Sequence, residues 1–286
     1  MMMDRLYEKV EENGHVCVGL DTDLSYIPKW FLDKHENLED AIFNFNKKLI
    51  DATKDISACY KLQIAYYEAY GIKGLTAYMK TLKYIKENGL ISIGDIKRGD
   101  ISSTAKMYAK AHFEGDFESD FITLNPYMGL DSITPYIPYL ESGKKGVFAL
   151  LRTSNEGAKD IQYIKTAEKT NVYDEVGKGL SKLGKDLIGK TGYSAIGAVV
   201  GCTHEGQEIR KDFKDLFFLI PGYGAQGGGA KDVAPYLQNG NGGVVNSSRG
   251  ILLAYRKEEN GEQIFDQLAR KEVLRMRADI KSGGNL

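Results

Sequence analysis

Cysteine is scarce in this 286-residue chain: Cys17, Cys59 and Cys202 are far apart and odd in number. None forms a Cys-x-x-Cys pair, which excludes a disulfide framework or a zinc site as the organising feature. The four histidines (His15, His35, His112 and His204) show no metal-ligand spacing. Neither residue type therefore suggests a metal site. Neither sign of charge dominates, with 38 Lys and Arg against 39 Asp and Glu and no basic block. That argues against a nucleic-acid partner, which calls for a clustered positive footprint, but leaves room for a small anion held by one or two local cations. No uncharged apolar run approaches membrane-spanning length. The opening MMMDRLYEKVEENG is too charged for a signal peptide, so the expectation is a cytoplasmic protein with no membrane partner. Also missing are the Gly-x-x-x-x-Gly-Lys-[Ser/Thr] loop of nucleotide triphosphatases, a Gly-x-Gly-x-x-Gly redox-cofactor pattern and a nucleophile elbow.

What is present is alternation. Short β-branched or apolar runs take turns with longer stretches of helical periodicity, the pattern of βα units around a parallel sheet. The runs predict strands at His15–Leu20, Ile56–Leu62, Ile91–Gly94, Phe121–Leu124, Gly146–Leu151, Ala195–Val200, Leu216–Ile220 and Gly243–Val245. Helices are predicted near Leu38–Thr53, Leu75–Asn88, Ser103–Phe113, Ser132–Leu140, Tyr173–Leu187, Glu205–Phe213, Ala230–Asn239 and Glu262–Ala278. Eight such units can close into a (β/α)8 TIM barrel or stay open as a doubly wound sheet. The count favours the barrel, as do polar residues that follow nearly every strand rather than one switch point. Hydrophobic content of 42% suffices for a sizeable core. No stretch resembles an interdomain linker, so residues 1–286 are expected to form one barrel domain. The longest irregular piece, Asn155 to Thr170, follows the fifth strand as a rim insertion.

In a β/α barrel the chemistry sits at the C-terminal ends of the strands. Those ends carry Asp21 in GLDTD, Lys61 in YKLQ, and Asp95, Lys97 and Asp100 in DIKRGDI. They continue with Asn125, Pro126 and Tyr127, then with Arg152, Thr153, Ser154 and Asn155, then with Gly201, Cys202, Thr203 and His204. An Asp-x-Lys-x-x-Asp stretch on its own is an ordinary solvated patch, because exposed ion pairs are common and weak. Convergence with polar groups from the other strand ends is what raises it above that. Asp95, Lys97 and Asp100 are expected just beyond strand three, since inside a strand such charges would be costly. His204 and Tyr127 suggest packing or supporting positions.

The last two loops point to an anion. Five glycines in nine residues (Gly222, Gly224, Gly227, Gly228 and Gly229) free the backbone to bring N–H groups close to a ligand. Gln226 adds a neutral donor, and Arg249 in NSSRG supplies a planar cation suited to phosphate oxygens. Loops after strands seven and eight are the usual phosphate site of such barrels. The ligand implied is a monophosphate.

With these residues in hand, the chain resembles the orotidine 5'-phosphate decarboxylases, in the branch of larger bacterial enzymes. The likeness rests on GLDTD, YKLQ, DIKRGDI at 95–101 with Thr104, RTSN at 152–155, PGYGAQGG at 221–228 and NSSRG at 246–250, and it spans nearly the whole chain. It implies a cofactor-independent homodimer that converts orotidine 5'-phosphate to UMP and CO2. By motif match, Lys97 would donate the proton to C6, with Asp95 beside the departing carboxylate. Asp100 and Thr104 would come from the neighbouring subunit, with Ile101 beside them. Asp21 and Lys61 would bind ribose hydroxyls and orient the charges, and Ser154 and Gln226 would contact the pyrimidine side. Gln226 would also bridge to the phosphate that Arg249 grips, with Pro221, Gly224 and Ser248 around them. The sequence departs from the pattern at Thr22, where many relatives have proline.

The residue types suit the reaction. Losing CO2 from orotate leaves an electron pair at C6 in the ring plane, where π delocalisation does not absorb it. With no electron-sink cofactor, fixed charges must be aimed at that carbon. A lysine flanked by carboxylates stays protonated and can stabilise the pair before protonating it. Lys61 as a Schiff-base lysine is the weaker reading, since that role needs a carbonyl substrate and usually a depressed lysine pKa. Two other functions remain open. One is a Mg2+-dependent sugar-phosphate decarboxylase or aldolase of the same superfamily, which EDTA would abolish. The other is a catalytically silent nucleotide-binding barrel, against which the intact Asp95, Lys97 and Asp100 argue.

Overall fold

The computed structural model describes residues 1–202, 206–224 and 228–283. Eight parallel strands close into a barrel in chain order: β1 Val16–Gly19, β2 Cys59–Gln63, β3 Ser92–Arg98, β4 Phe121–Leu124, β5 Gly146–Arg152, β6 Ile196–Val200, β7 Phe218–Ile220 and β8 Gly243–Ser247. The strands are apolar on both faces because both faces are covered. One face of each strand packs on the surrounding helices, as Val16, Val18, Tyr60 and Leu62 do. The other fills the barrel with Cys17, Cys59, Ile93, Phe121, Phe148, Val199, Leu219 and Val244. Cys17 and Cys59 are buried neighbours in register on β1 and β2.

An N-terminal helix, Met2–Asn13, is absent from the expected elements. Its buried side chains Met2, Met3, Leu6 and Val10 follow helical spacing and join the interior cluster. It plugs the N-terminal mouth of the barrel, and the polar residues are left to the other end. The helical layer is also more broken than expected. The stretch read as Ser132–Leu140 resolves into short 3-10 turns followed by Ile137–Glu141, and Ala230–Asn239 into Ala230–Val233 followed by a turn at Ala234–Tyr236. Prolines at 135, 138 and 235 stand in those segments, and each lacks the N–H that a continuous helix needs. The insertion after β5 holds a 3-10 turn, Glu156–Asp160, and a bridge between Lys165 and Asn171.

The C-terminal helix, Phe265–Gly283, buries Phe265, Leu268, Ala269, Val273, Met276 and Ile280 along one face. Ile264 and Leu274 lie off the stripe and are exposed. Tyr127 is 75% exposed rather than a packing residue. Among the described residues, no helix is long and apolar enough to cross a membrane.

Candidate active site

The site follows from the period-two alternation of strand side chains. On β2 the inward face that buries Cys59 next presents Lys61; on β3 the face that buries Ile93 next presents Asp95, then Lys97. The sequence reading ended strand three at Gly94 and set the charges beyond it. The strand instead runs through Asp95 and Lys97 to Arg98, and Asp95 is only 6% exposed. The cost that argued against charges in a strand is met by pairing.

Charges of alternating sign form a chain across three strands. Lys61 Nζ lies 3.0 Å from Asp21 Oδ1 and 2.9 Å from Asp95 Oδ2, and Lys97 Nζ lies 2.6 Å from Asp95 Oδ1. Burial alone pushes the Asp95 carboxyl upward, but the Lys61 and Lys97 ammonium groups outweigh it and hold it well below the usual carboxylate range. Burial likewise depresses Lys61, and Asp21 and Asp95 reverse that and raise it above an ordinary lysine. Both groups are ionised at neutral pH. Lys97 is the solvent end of the chain, its side chain 44% exposed against 5% for Lys61.

Thr123 on β4 organises the turn at Lys97. Its hydroxyl donates to Asp95 Oδ1 at 2.9 Å and accepts the backbone N–H groups of Ile96 at 3.0 Å and Lys97 at 2.9 Å. The β3–β4 register shifts between Gly94 and Arg98, and Lys97 adopts φ 45°. A left-handed lysine costs about 1 kcal/mol or more, and here it redirects the ammonium towards Asp95. Sequence reasoning missed Thr123; the available signal was a lone hydroxyl in the four-residue strand Phe121–Leu124.

Asp21 is oriented from several sides. Its Oδ1 accepts Lys61 and the Gln63 amide, and its Oδ2 accepts the Ser248 hydroxyl at 2.8 Å. Ser248 Oγ sits 1.9 Å from where a Cβ on Gly19 would fall, so glycine is required there. Thr22 also contributes. Its buried hydroxyl donates to Asn46 Oδ1 at 2.6 Å, and Asn46 in turn holds Tyr67, whose hydroxyl bonds the Leu20 carbonyl. Thr22 thus fixes the loop beside Asp21 through a side-chain hydrogen bond that proline does not make.

A cavity of about 420 Å3 opens over these groups, lined by Asp21, Lys61, Tyr66, Asp95, Pro221 and Arg249 among others. Asn246, Ser248, Gly222 and Tyr223 complete much of its wall. Tyr66 is a second residue that sequence reasoning passed over, although it stands just beyond YKLQ. Arg249 is exposed and, among the described residues, its guanidinium has no partner. Gly222 and Gly224 take φ 104° and 73°, left-handed conformations open to glycine.

The other expected residues are spread more widely. Ser154 lies against Gly201 on the loop after β5, outside the cavity wall. Among the described residues Asp100 accepts only the adjacent Ile101 amide, at 2.8 Å, and Ile101 and Thr104 face solvent at the start of the Ser102–Phe113 helix. None of these three touches the Asp95–Lys97 pair within this chain. Arg152, read as a rim residue, is fully buried and donates to the Gly201 carbonyl and the Tyr236 hydroxyl. Gln226 and His204 lie outside the described residues. Among the described residues, no group of three or more His, Cys, Asp or Glu side chains is disposed to hold a metal ion.

Comparisons with known proteins agree on one family. Residues 14–264 match the model of the orotidine 5'-phosphate decarboxylase / HUMPS family. The orotidine 5'-phosphate decarboxylase of Clostridium acetobutylicum is 66% identical over 283 residues, covering 98% of this chain and 99% of that protein. That of Clostridium tetani is also 66% identical, over 282 residues and 98% of each. Among solved structures, a putative orotidine 5'-phosphate decarboxylase from Streptomyces avermitilis superposes with a TM-score of 0.83 at 26% identity, covering 100% of this chain and 96% of that one. The Leishmania donovani OMP decarboxylase does so with a TM-score of 0.76 at 27% identity, covering 100% and 99%.

Proposed function

The chain belongs to the orotidine 5'-phosphate decarboxylase family, and on that premise we propose how its site works. The protein is a carboxy-lyase of pyrimidine biosynthesis that converts orotidine 5'-phosphate to UMP and CO2. The observation that carries the residue assignment is the alternating chain Asp21–Lys61–Asp95–Lys97, whose first three members line the cavity.

The bond from C6 to the carboxylate breaks, CO2 departs, and the electron pair left on C6 takes a proton from Lys97 Nζ. Lys97 is suited to this because it is the exposed end of the chain and hydrogen-bonded to a carboxylate that stays ionised. Asp95 lies beside the substrate carboxylate, and Lys61 keeps Asp95 charged and in place. Asp21 and Lys61 hold ribose hydroxyls. Arg249 takes the phosphate together with backbone N–H groups of the glycine-rich loop, Pro221 and Gly224 flanking it and Gln226 bridging towards the base. Ser248 acts through Asp21, and Ser154 meets the pyrimidine. Binding energy from the remote phosphate is then available to the transition state. No step calls on a metal or organic cofactor.

Asp100 and Thr104 are proposed to serve the site of a second subunit. Two features support this: neither touches the Asp95–Lys97 pair of its own chain, and exposed Ile101 and Met107 flank them. Apolar side chains left in solvent at such a place suit a self-complementary contact. Mixing Lys97→Ala and Asp100→Asn proteins should then restore activity in the hybrid; no restoration would contradict shared sites. As an enzyme of pyrimidine biosynthesis, the protein is proposed to work in the cytoplasm.

The test of the reaction is the ultraviolet absorbance change of orotidine 5'-phosphate with purified protein, with and without EDTA. Conversion to UMP that EDTA leaves untouched is expected. Activity that EDTA abolishes, or turnover of a sugar phosphate in its place, would return the Mg2+-dependent alternative, which the 62–66% identity to named decarboxylases disfavours.

A further inference from the structure

The C-terminal helix lies outside the charged chain and outside every motif that suggested the family, yet it meets the phosphate end of the cavity at three points. Tyr223, which lines the cavity and is 4% exposed, donates its hydroxyl to Asp279 Oδ2 on that helix. Ala230, just past the glycine-rich loop, packs against the helix end so closely that a Cβ on Gly283 would come within 2.4 Å of its methyl. Beneath the loop after β8, a Cβ on Gly250 would reach Glu272 Oε1 at 4.0 Å. Glu272 is itself held by Arg275 through bonds of 2.9 and 2.7 Å.

Tyr223 stands between two glycines at positive φ, Gly222 and Gly224. Those turns give the backbone little regular structure of its own to set where the loop lies. The neck of the loop is closed by the Gly224 N–H to Gly228 carbonyl bond at 2.8 Å and a bridge between Tyr223 and Gly228. The Asp279 bond ties this neck to a helix docked on the barrel through Phe265, Leu268, Val273 and Met276. We infer that Tyr223 and Asp279 are a positioning pair for the phosphate of the nucleotide: their bond fixes the wall after β7 relative to Arg249 on the β8 side. Burial, and then the Asp279 bond, push the Tyr223 hydroxyl up to about 12, so it remains a donor throughout the working pH range. This rests on the phosphate reading of the cavity given above.

Inhibition of the full-length enzyme by UMP and by uridine isolates the phosphate's contribution. Tyr223→Phe removes one oxygen, Asp279→Ala breaks the same bond from the other side, and Asp279→Asn keeps an acceptor. Tyr223→Phe and Asp279→Ala should each weaken UMP about three- to tenfold, within the range of one ordinary hydrogen bond. Uridine inhibition should stay unchanged. KM for orotidine 5'-phosphate should rise with UMP while kcat falls less. The double variant should be no worse than either single one, and Asp279→Asn should return close to wild type. Equal weakening of UMP and uridine, unchanged UMP inhibition, or Asp279→Asn as impaired as Asp279→Ala would overturn the assignment. Arg249→Ala, run alongside, tests the phosphate reading separately. If it fails to weaken UMP selectively, the phosphate lies elsewhere, whatever Tyr223 does.

Discussion

The two ends of the cavity are built on opposite principles. At the end formed by β1 to β4 the four charges of the chain are partnered before any ligand arrives: Lys61 sits between Asp21 and Asp95, and Asp95 sits between Lys61 and Lys97. At the end formed by the loops after β7 and β8, the main cation, Arg249, has no partner among the described residues. The first end is rigid strand interior; the second is glycine-rich loop held from behind by a helix. The contrast separates two tasks. Stabilising charge at a reacting carbon is most effective when dipoles and charges need no rearrangement during the reaction. Gripping a phosphate calls for groups whose valences are unfilled until it binds. On the roles proposed above, folding prepares the chemistry and binding completes the grip.

The sharpest way to break this contrast is at Lys97. Lys97→Ala should lower turnover of orotidine 5'-phosphate by at least about 10⁴-fold, combining a lost proton donor with a lost fixed charge. A loss under tenfold would mean that protonation comes from elsewhere. Next in size is Lys61→Met, which leaves Asp21 and Asp95 facing each other without the ammonium between them. Breaking a buried pair in this way should destabilise the fold by about 3–5 kcal/mol in denaturant titration. Unchanged stability would mean that the chain of charges is not prewired.

An acid series is a gentler probe. The depressed Asp95 contributes stability that is present above its ordinary value of 3.8 and is lost only as pH falls through its lowered one. The raised Lys61 contributes stability that is present below 10.5 and is lost only as pH climbs through its raised value. The reacting end should therefore be indifferent to pH between about 5 and 9. His112, on the Ser102–Phe113 helix, behaves differently: burial, with Arg98 nearby, lowers it from 6.5 to about 4. The unfolded chain takes up that proton first, so stability falls as pH drops from 6.5 and levels off below about 4, by up to about 3 kcal/mol in all. Replacing His112 by Gln should flatten that slope in thermal melts at pH 7 and pH 5, whereas an unaltered slope would assign the acid sensitivity to the charged network.

Much of this was legible in the sequence, for identifiable reasons. The barrel announced itself because strands covered on both faces are short apolar runs, and β4 at Phe121–Leu124 was read to the residue. That the glycine-rich loop and Arg249 meet at one cavity was legible because glycine clusters and an arginine are local signals. The reach of β3 was not, because a rule against charges in strands knows nothing of the partners that Lys61, Thr123 and Lys97 supply from 26 to 34 positions away or from two. The helix Met2–Asn13 escaped because its apolar positions are diluted by charge, and the plug it forms exists only once the barrel is closed. Asp100 and Thr104, proposed to serve a second subunit, point to a limit of another kind, since a group with such a role has no partner to be found in its own chain.

The most direct test of the division between the two ends is UMP affinity, measured by calorimetry, for Lys97→Ala and Arg249→Ala side by side. Lys97→Ala should bind UMP within about threefold of wild type, under 1 kcal/mol, despite its lost turnover. Arg249→Ala should lose about 10- to 100-fold, the range of a charge-assisted contact. If Lys97→Ala instead loses UMP affinity in step with its turnover, the reacting end is a binding determinant like the other, and the proposed division fails.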